Sequence, residues 1–405
     1  MRPPMINNNG NDYKNKRLQY IIDNVLSFYD VICLQEMFHF GSNRRNYLLD
    51  EAHKAGFKHA YTSPIPCFLS GIDGGLVVLS RFPIVKAAET TFARGIHSDK
   101  LCHKGVLYCK IKVEENFHFH VFTTHTQASY ESNLPLTEPS VQIRLEQIGE
   151  ARRFIAEQIK DQPTWEPVVL LGDLNVNSRY DLREDTPTST QEYIIMHQIL
   201  CGGDLTEMQD PNVKPQTLNF RDLLYDTLGH HPISFADFVF DTNSPTGGTP
   251  RETVLTSKES LGNCESLDYI FYLDRNDSGN ASGSSDYYLE LGPARIEPMF
   301  LPNPTSDFPC TQLSDHYGVS LEMIVTPKPP STRDTANLLT PPTGPPQEVE
   351  EEADDTGSNL SRSSSPREMR RTNTPPSPIR KVSSSRRRIS KLPPGAEDVA
   401  KNVNN

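Results

Sequence analysis

Short apolar runs that end in polar or charged residues recur along the first 325 residues of this 405-residue chain. In one of them, residues 168–171 are all apolar and lead into Gly172, Asp173 and Asn175. An uninterrupted apolar run of this length predicts a buried strand, and the glycine is expected to end it. Because side chains alternate along an extended backbone, Asp173 and Asn175 are expected to point the same way. A simple Asx turn after a strand explains this stretch equally well.

Four further predicted strands carry polar residues at one end. The strands and their polar ends are 31–34 with Gln35 and Glu36, 119–124 with His125, 267–273 with Asp268, and 318–325 preceded by Asp315 and His316. Segments 106–113 and 117–124 are predicted to form a hairpin. Buried strands that deliver carboxylate, amide and imidazole groups to one place suit a hard cation and a phosphate.

Helices are predicted where apolar residues recur at spacings of three and four. They cover residues 15–28, 44–55, 190–201 and 222–228, and a longer amphipathic helix runs from Val141 to Ile159. In the second helix, Tyr47, Leu48 and Ala52 are expected to face inward. The glycines at 74 and 75 are interpreted as tight-turn residues, and residues 243–250 as a loop.

The net charge, the cysteine spacing and the apolar runs argue against several classes of protein. The net charge of −12 argues against a general nucleic-acid binder, so no nucleic-acid partner is expected. The seven cysteines are scattered and none has CxxC spacing, which predicts reduced thiols in a cytoplasmic protein. The sequence contains neither an apolar run long enough to cross a membrane nor a secretory signal.

Two regions are expected, a catalytic domain at 1–325 and a disordered tail at 326–405. Six acidic residues occupy positions 348–355, and ten lysines or arginines stand against one glutamate in 360–391. Serines and threonines beside prolines or arginines in the basic block predict kinase sites. We expect the basic block to attract an anionic membrane surface and phosphorylation to weaken that attraction. A solvated tail that only kinases or adaptor proteins bind explains the same pattern.

The polar motifs follow in the order Gln-Glu, His, Gly-Asp-x-Asn, Asp before an aromatic strand, and Ser-Asp-His, across residues 35–316. This order resembles the endonuclease/exonuclease/phosphatase superfamily, which has the deoxyribonuclease I-like fold. The resemblance implies a four-layer α/β/β/α sandwich and magnesium-dependent hydrolysis of a phosphate ester. It also implies a first strand that carries a metal-binding asparagine, but no apolar run precedes residue 15 here. We expect the natural chain to begin upstream; a truncated relative is the alternative.

The resemblance also assigns roles to individual residues. Glu36 and Asp315 would hold Mg²⁺, which binds few carboxylates and keeps waters and substrate oxygens. His316 would be the general base toward water, since imidazole titrates near neutrality. Asp268 would accept a hydrogen bond from the other ring nitrogen of His316 and so fix its tautomer.

Four other residues complete the expected site. Asp173 and Asn175 would orient water and contact the phosphate, and Asn175 would also bind substrate. His125 would donate to a phosphoryl or leaving oxygen. Gln127 is expected to bind substrate.

The branch of the superfamily is suggested by residues 125–128, His-Thr-Gln-Ala, which resemble the His-x-Gln-Ala of neutral and bacterial sphingomyelinases. The implied activity is phospholipase C-type cleavage of a sphingophospholipid at a membrane surface, which requires peripheral membrane contact. Residues 64–69 and 300–302 are candidate contact loops, although ordinary packed loops explain them too. A nuclease of the same fold and a catalytically impaired scaffold with a regulatory tail are the alternatives.

Overall fold

A computed structural model describes residues 10–67, 71–132, 134–180, 184–202, 217–275, 285–329 and 387–388. Five helices and sixteen strands lie in these ranges, together with three short 3₁₀ turns. The helices are α1 Lys14–Asn24, α2 Arg44–Lys54, α3 Pro139–Ile159, α4 Gln191–Gly202 and α5 Leu223–Leu228. The strands are β1 Val31–Leu34, β2 His59–Thr62, β3 Val77–Ser80, β4 Ile84–Thr91, β5 Gly105–Glu114, β6 Phe117–His125, β7 Val168–Asp173, β8 Asn219–Asp222, β9 Phe238–Phe240, β10 Gly248–Pro250, β11 Asp268–Asp274, β12 Tyr287–Leu291, β13 Arg295–Glu297, β14 Gly318–Ser320, β15 Met323–Pro327 and β16 Arg387–Arg388.

The largest sheet has six strands in the order β4-β5-β6-β7-β11-β8. One face packs against α3 and α4, and the apolar residues at three-and-four spacing in α3 enter this core. The other face packs against β3, β12 and β15 and against partly buried residues of β1. Beyond β1 and β3, the helices α1 and α2 form the outermost layer. The predicted four-layer α/β/β/α fold is therefore confirmed.

The second layer is divided among smaller sheets. Strands β2, β3 and β1 form one sheet with β3 in the middle, β13 pairs with β14, and β15 lies between β12 and β16. The predicted strand at 318–325 is thus two strands, because the chain changes partner between Ser320 and Met323. The expected disorder of the tail lies outside the described residues apart from 326–329 and 387–388, and the division at residue 325 stays a prediction.

Three local predictions were wrong. Tyr47 is 39% exposed and its hydroxyl donates to Gln19, whereas Arg45 is buried in α2 and pairs with Asp73. Residues 248–250 form β10 of a hairpin with β9 instead of a loop. Gly172 does not end β7, which continues to Asp173; a glycine is needed there because φ is +139° and a Cβ would lie 2.2 Å from the Thr124 carbonyl oxygen.

No helix among the described residues is both long and apolar enough to cross a bilayer. The seven cysteines, all of which fall in described segments, are free thiols.

A buried charge cluster stabilises the end of the large sheet that lies away from His125. Both carboxylate oxygens of Glu166 are used, since they contact His118 Nδ1 at 2.8 Å and His120 Nε2 and Lys110 Nζ at 2.9 Å. Burial alone would raise the pKa of Glu166, but the hydrogen bonds from His120, Lys110 and His118 outweigh it and lower the pKa to about 2. Burial lowers the pKa of His120, so its ring is neutral in the fold.

We expect Glu166→Ala to lower the free energy of unfolding by about 3 kcal/mol, because it leaves buried partners unpaired. In the parent protein, the stabilisation from His120 is present above its ordinary pKa of 6.5 and is lost as pH falls. The stabilisation from Glu166 is present above 4.5 and is lost as pH falls toward about 2. Urea unfolding measured from pH 7 to 3 tests this, and Glu166→Gln should flatten the acid limb. Glu115→Gln, on a carboxylate that is 83% exposed, is the control and should change little.

Candidate active site

Three neighbouring strands bring polar side chains into one row. In the parallel pair β6–β7, His125 lies opposite Asp173, and in the antiparallel pair β7–β11, Asp173 lies opposite Asp268. The apolar residues that precede His125 and Asp173 and follow Asp268 fix this register, because they must all face the same two cores. The motifs at 125, 173 and 268 therefore meet at one end of three adjacent strands in the large sheet.

His316 joins this row from the loop before β14. An isolated bridge links Phe235 to His316, and Tyr317 N–H donates to the Ser234 carbonyl at 2.6 Å. His316 Nδ1 is 2.9 Å from Asp268 Oδ2, and Ser234 Oγ donates to the same oxygen at 2.7 Å. The expected contact between Asp268 and His316 is therefore present, and it leaves Nε2 of His316 as the atom that faces substrate or water.

The charges at this point are strongly coupled. His316 Nε2 lies 3.9 Å from Asp173 Oδ2, and the imidazole side chain is 24% exposed. Burial alone would lower the pKa of His316, but the carboxylates of Asp268 and Asp173 outweigh it and raise the pKa well above its usual value. Burial raises the pKa of Asp173. A positive charge placed near these carboxylates would lower their pKa and favour their ionised form.

His125 lies on the other side of Asp173, with Nε2 3.5 Å from Asp173 Oδ2. The buried Lys104 ammonium is 3.1 Å from the same Nε2 and also contacts Asp99 and the Thr126 carbonyl. An ammonium can only donate, so Nε2 is the acceptor and the ring proton lies on Nδ1. Burial and Lys104 lower the pKa of His125, and among the described residues its Nδ1 makes no hydrogen bond.

Glu36 is held at the site by a glycine turn. Its φ of +57° turns the chain sharply after β1, and Met37 N–H donates to the Gly75 carbonyl at 2.8 Å. A Cβ on Gly75 would lie 2.9 Å from the ring of Phe38 and 3.1 Å from Glu36 Cα. The prediction of a turn glycine holds at Gly75, with φ +68°, and the turn packs against the backbone of Glu36. Gly74 instead allows a close approach, because a Cβ there would lie 2.5 Å from the His103 carbonyl oxygen.

Five of the predicted residues line one cavity of about 340 Å³. They are Glu36, Asp173, Asp268, Asp315 and His316. Asp173, Asp268 and His316 therefore open onto the same space as the two residues assigned to the metal, whereas His125 is not among the lining residues. Asp12 lines the cavity as well, and a cavity lined by these five carboxylates fits a divalent cation with oxygen ligands, the donor set that Mg²⁺ prefers.

A second grouping of possible ligands lies in the same cavity. One oxygen or nitrogen from each of Asp173, Asp268 and His316 falls within 4.8 Å of the others. This set contains an imidazole, which transition metals accept more readily than Mg²⁺. The assignment of Glu36 and Asp315 as the magnesium ligands stays a prediction.

The remaining predicted residues lie beside the cavity. Asn175 has φ +52° instead of extended geometry; its N–H donates to Asp173 Oδ1 at 2.9 Å, and its side chain donates to the Thr126 carbonyl. The Asx turn is therefore real, and it orients both residues. Gln127 is fully buried, and its amide bonds to Ile96 N–H and the Ala128 carbonyl. Direct substrate contact by Gln127 stays a prediction that this placement does not favour.

The sequence patterns did not reveal Lys104, Asp99 or Ser234. A lysine just before an apolar strand and a serine in a loop are common surface patterns, and no motif includes them. Lys104 contacts His125 and Ser234 contacts Asp268 through packing between separate segments, and Asp99 joins the site through its ion pair with Lys104.

Comparison with known proteins agrees with the geometry. The Endonuclease/Exonuclease/phosphatase family model matches residues 6–316. A sphingomyelinase of Dictyostelium discoideum is 34% identical over 361 residues, covering 78% of this chain and 75% of the relative. Sphingomyelinase C of Listeria ivanovii is 32% identical over 182 residues, 43% of this chain and 52% of that protein. The crystal structure of SmcL covers 75% of this chain and 89% of its own, at 25% identity and a TM-score of 0.44. The chain therefore belongs to the endonuclease/exonuclease/phosphatase family, as a phosphodiesterase related to the sphingomyelinases.

Proposed function

We propose that this protein cleaves a sphingophospholipid into ceramide and a phosphorylated head group, with Mg²⁺ as its cofactor. The observation that carries the chemistry is the Asp268–His316 pair opening onto a cavity that Glu36 and Asp315 also line. The substrate class comes from the Dictyostelium relative, whose similarity extends over most of both chains.

Each side chain has its own role in the proposed reaction. Because Asp268 and Asp173 raise the pKa of His316, its ring acts as the base only after Nε2 has lost its proton. Nε2 then accepts a proton from the attacking water while Asp268 holds the proton on Nδ1. Nδ1–H of His125 donates to a phosphoryl oxygen or to the leaving oxygen, and Lys104 keeps that tautomer. Asp173 and Asn175 orient the water and the phosphate. Glu36 and Asp315 would hold Mg²⁺, which when bound would supply positive charge to the phosphoryl oxygens.

A membrane contact is proposed beside this site. Strand β9 exposes Val239 and Phe240, the latter by 47%, and the rings of Phe238 and Phe240 lie tilted against each other with their centroids 5.1 Å apart. The hairpin joins the catalytic loop directly, because Tyr317 donates through its hydroxyl to Asp237 Oδ2. Apolar side chains next to a site for a lipid phosphate fit insertion into a bilayer surface.

The substrate test compares release of phosphocholine from sphingomyelin vesicles with hydrolysis of phosphatidylcholine and nicking of plasmid DNA. We expect release of phosphocholine from sphingomyelin at least about tenfold faster than from phosphatidylcholine, because the proposed site selects the sphingoid lipid. DNA nicking without lipid turnover would make the protein a nuclease instead.

A variant with Phe238→Ser and Phe240→Ser separates membrane contact from catalysis in the same assay. It should slow hydrolysis in vesicles and leave a water-soluble short-chain substrate unaffected. Val85→Ser, on an exposed residue of β4, is the control. Equal losses on both substrates would contradict a membrane role for the hairpin.

Gly75→Ala is expected to reduce turnover by about 10²-fold. The added methyl group meets the Glu36 backbone and displaces it by up to about 1 Å. The matched control is Gly229→Ala, at φ +75° with no atom within 4 Å of its Cβ. Both variants carry backbone strain at a positive φ, and Gly75→Ala adds the contacts with Phe38 and Glu36, so it should lose more thermal stability than Gly229→Ala. Steady-state kinetics and calorimetry make the comparison, and equal turnover in the two variants would show that the turn does not position Glu36.

A further inference from the structure

A buried carboxylate that has no role in the proposed reaction lies close to the catalytic base. Glu265 is only 8% exposed and forms no ion pair with the described residues. Its Oε1 accepts hydrogen bonds from the neutral side chains of Ser132 and, at 3.5 Å, Asn263. Its Oε2 accepts none within the described part of the chain. A buried carboxylate with only neutral donors is costly to ionise, so a cation placed beside it would favour the charged form.

Glu265 belongs to a row of three side chains that ends at His316. Its backbone exchanges two hydrogen bonds with Phe235, at 3.0 and 3.1 Å, and Phe235 is also bridged to His316. Directly paired residues of antiparallel segments place their side chains on the same face, with backbones about 5 Å apart. The ring centroids of Phe235 and His316 lie 4.7 Å apart, as this pairing requires. Phe235 therefore occupies the position between the catalytic imidazole and the carboxylate.

The charges near Glu265 leave its carboxylate without a partner of opposite charge in contact. Burial raises the pKa of Glu265, and the hydrogen bond from Ser132 and the charges of His316 and Arg144 offset this only in part. The Arg144 guanidinium contacts Glu192 instead, with Nε donating at 2.8 Å. Phe235 is partly exposed, and the His316 side chain is 24% exposed. An acceptor oxygen therefore lies next to an aromatic ring that solvent and substrate reach.

We propose that Phe235 and Glu265 form the subsite for the cationic head group of the substrate, the quaternary ammonium of choline. This inference rests on the proposed function and adds the residues that select the head group. An aromatic face attracts a desolvated ammonium, and the neighbouring carboxylate supplies the opposite charge. A neutral head group gains neither interaction, and the carboxylate repels an anionic one.

The geometry of the reaction places the head group on this side of the site. Water activated by Nε2 of His316 attacks the phosphorus, so the phosphorus lies close to that atom. In a choline ester an oxygen and an ethylene bridge alone separate the phosphorus from the nitrogen. The ammonium therefore reaches the side chains next to His316. The ceramide oxygen leaves in line with the attacking water and so points away from His316, which separates the lipid from the head group.

The test uses two chromogenic phosphodiesters that share the p-nitrophenolate leaving group. One is p-nitrophenyl phosphocholine, and the other is its tert-butylethyl analogue, in which carbon replaces nitrogen and the positive charge is absent. The ratio of the two kcat/KM values is measured on one sample of each protein, so a loss of folded protein cancels. We expect Glu265→Gln and Phe235→Leu each to lower this ratio about tenfold. Glu297→Gln, on a buried glutamate that accepts from Ser320 at 2.7 Å, is the matched control and should keep the parent ratio.

A purely structural role gives a different result. If Glu265 acts only on the charge of His316 or on the loop that carries Ser132, both substrates slow equally and the ratio stays at the parent value. An unchanged ratio in Glu265→Gln would therefore overturn the subsite.

Binding of the product separates this proposal from the proposed activity. Phosphocholine and tert-butylethyl phosphate are titrated into the full-length chain by calorimetry in the presence of Mg²⁺. We expect the parent to bind phosphocholine about tenfold more tightly than the neutral analogue, and Glu265→Gln to lose that preference. No preference in the parent would refute the subsite even if hydrolysis is observed. A preference that Glu265→Gln removes, without hydrolysis of any phosphodiester, would support the subsite and refute the activity.

Discussion

Replacing His316 with alanine is expected to lower the turnover of sphingomyelin by about 10²–10⁴-fold, the usual contribution of a general base. The structure gives the reason, since Nδ1 is 2.9 Å from Asp268 and Nε2 alone remains to take a proton from water. The side chain is partly exposed in a loop and packs against Phe235 at one edge. The fold should therefore survive, and circular dichroism with a thermal melt checks this.

A variant of Asp268, the hydrogen-bond partner of His316, makes this test more specific. Asp268→Asn should also lose activity, because an amide does not hold the imidazole tautomer as a carboxylate does. Since the two side chains act as one unit, the double variant should be little worse than His316→Ala alone. His53→Ala, on an exposed histidine of α2, controls for loss of an imidazole in general. Near-normal turnover in folded His316→Ala would remove the assignment of the base.

Removing divalent cations with a chelator should abolish hydrolysis, and Mg²⁺ should restore it. Glu36→Gln keeps the size of the side chain but removes its charge, so we expect Mg²⁺ affinity to fall by about 10–100-fold. Isothermal titration calorimetry measures the affinity without requiring turnover. Glu51→Gln, at a carboxylate of α2 that pairs with Lys54, is the matched control and should bind Mg²⁺ as the parent does.

The same titration distinguishes the two groupings of ligands. If Glu36→Gln leaves metal affinity unchanged while Asp173→Asn abolishes it, the ion lies among Asp173, Asp268 and His316 instead. Mn²⁺ and Zn²⁺ are titrated in parallel, because an imidazole ligand favours them over Mg²⁺. Activity that survives exhaustive chelation would contradict the magnesium proposal.

The sequence alone determined the five helices and the strands β1, β5, β6, β7 and β11, because each requires only a local pattern of apolar residues. It also indicated that polar groups end several strands, since Glu36, His125, Asp173 and Asp268 each adjoin an apolar run. The long helix α3 and the hairpin β5–β6 were predicted from such patterns and are present. The predictions were wrong where the local pattern was ambiguous, as at Tyr47, or where contacts between backbone segments decide the conformation, as at Gly172.

Only the tertiary structure decided which of these groups meet. The register of β6, β7 and β11 places His125, Asp173 and Asp268 side by side, and register depends on pairing between segments far apart in sequence. The same long-range packing buries Lys104 against His125, a contact that no sequence motif predicts. It also leaves β1 and β14 facing each other across an apolar cavity, because a sheet edge is defined only by its neighbours in space.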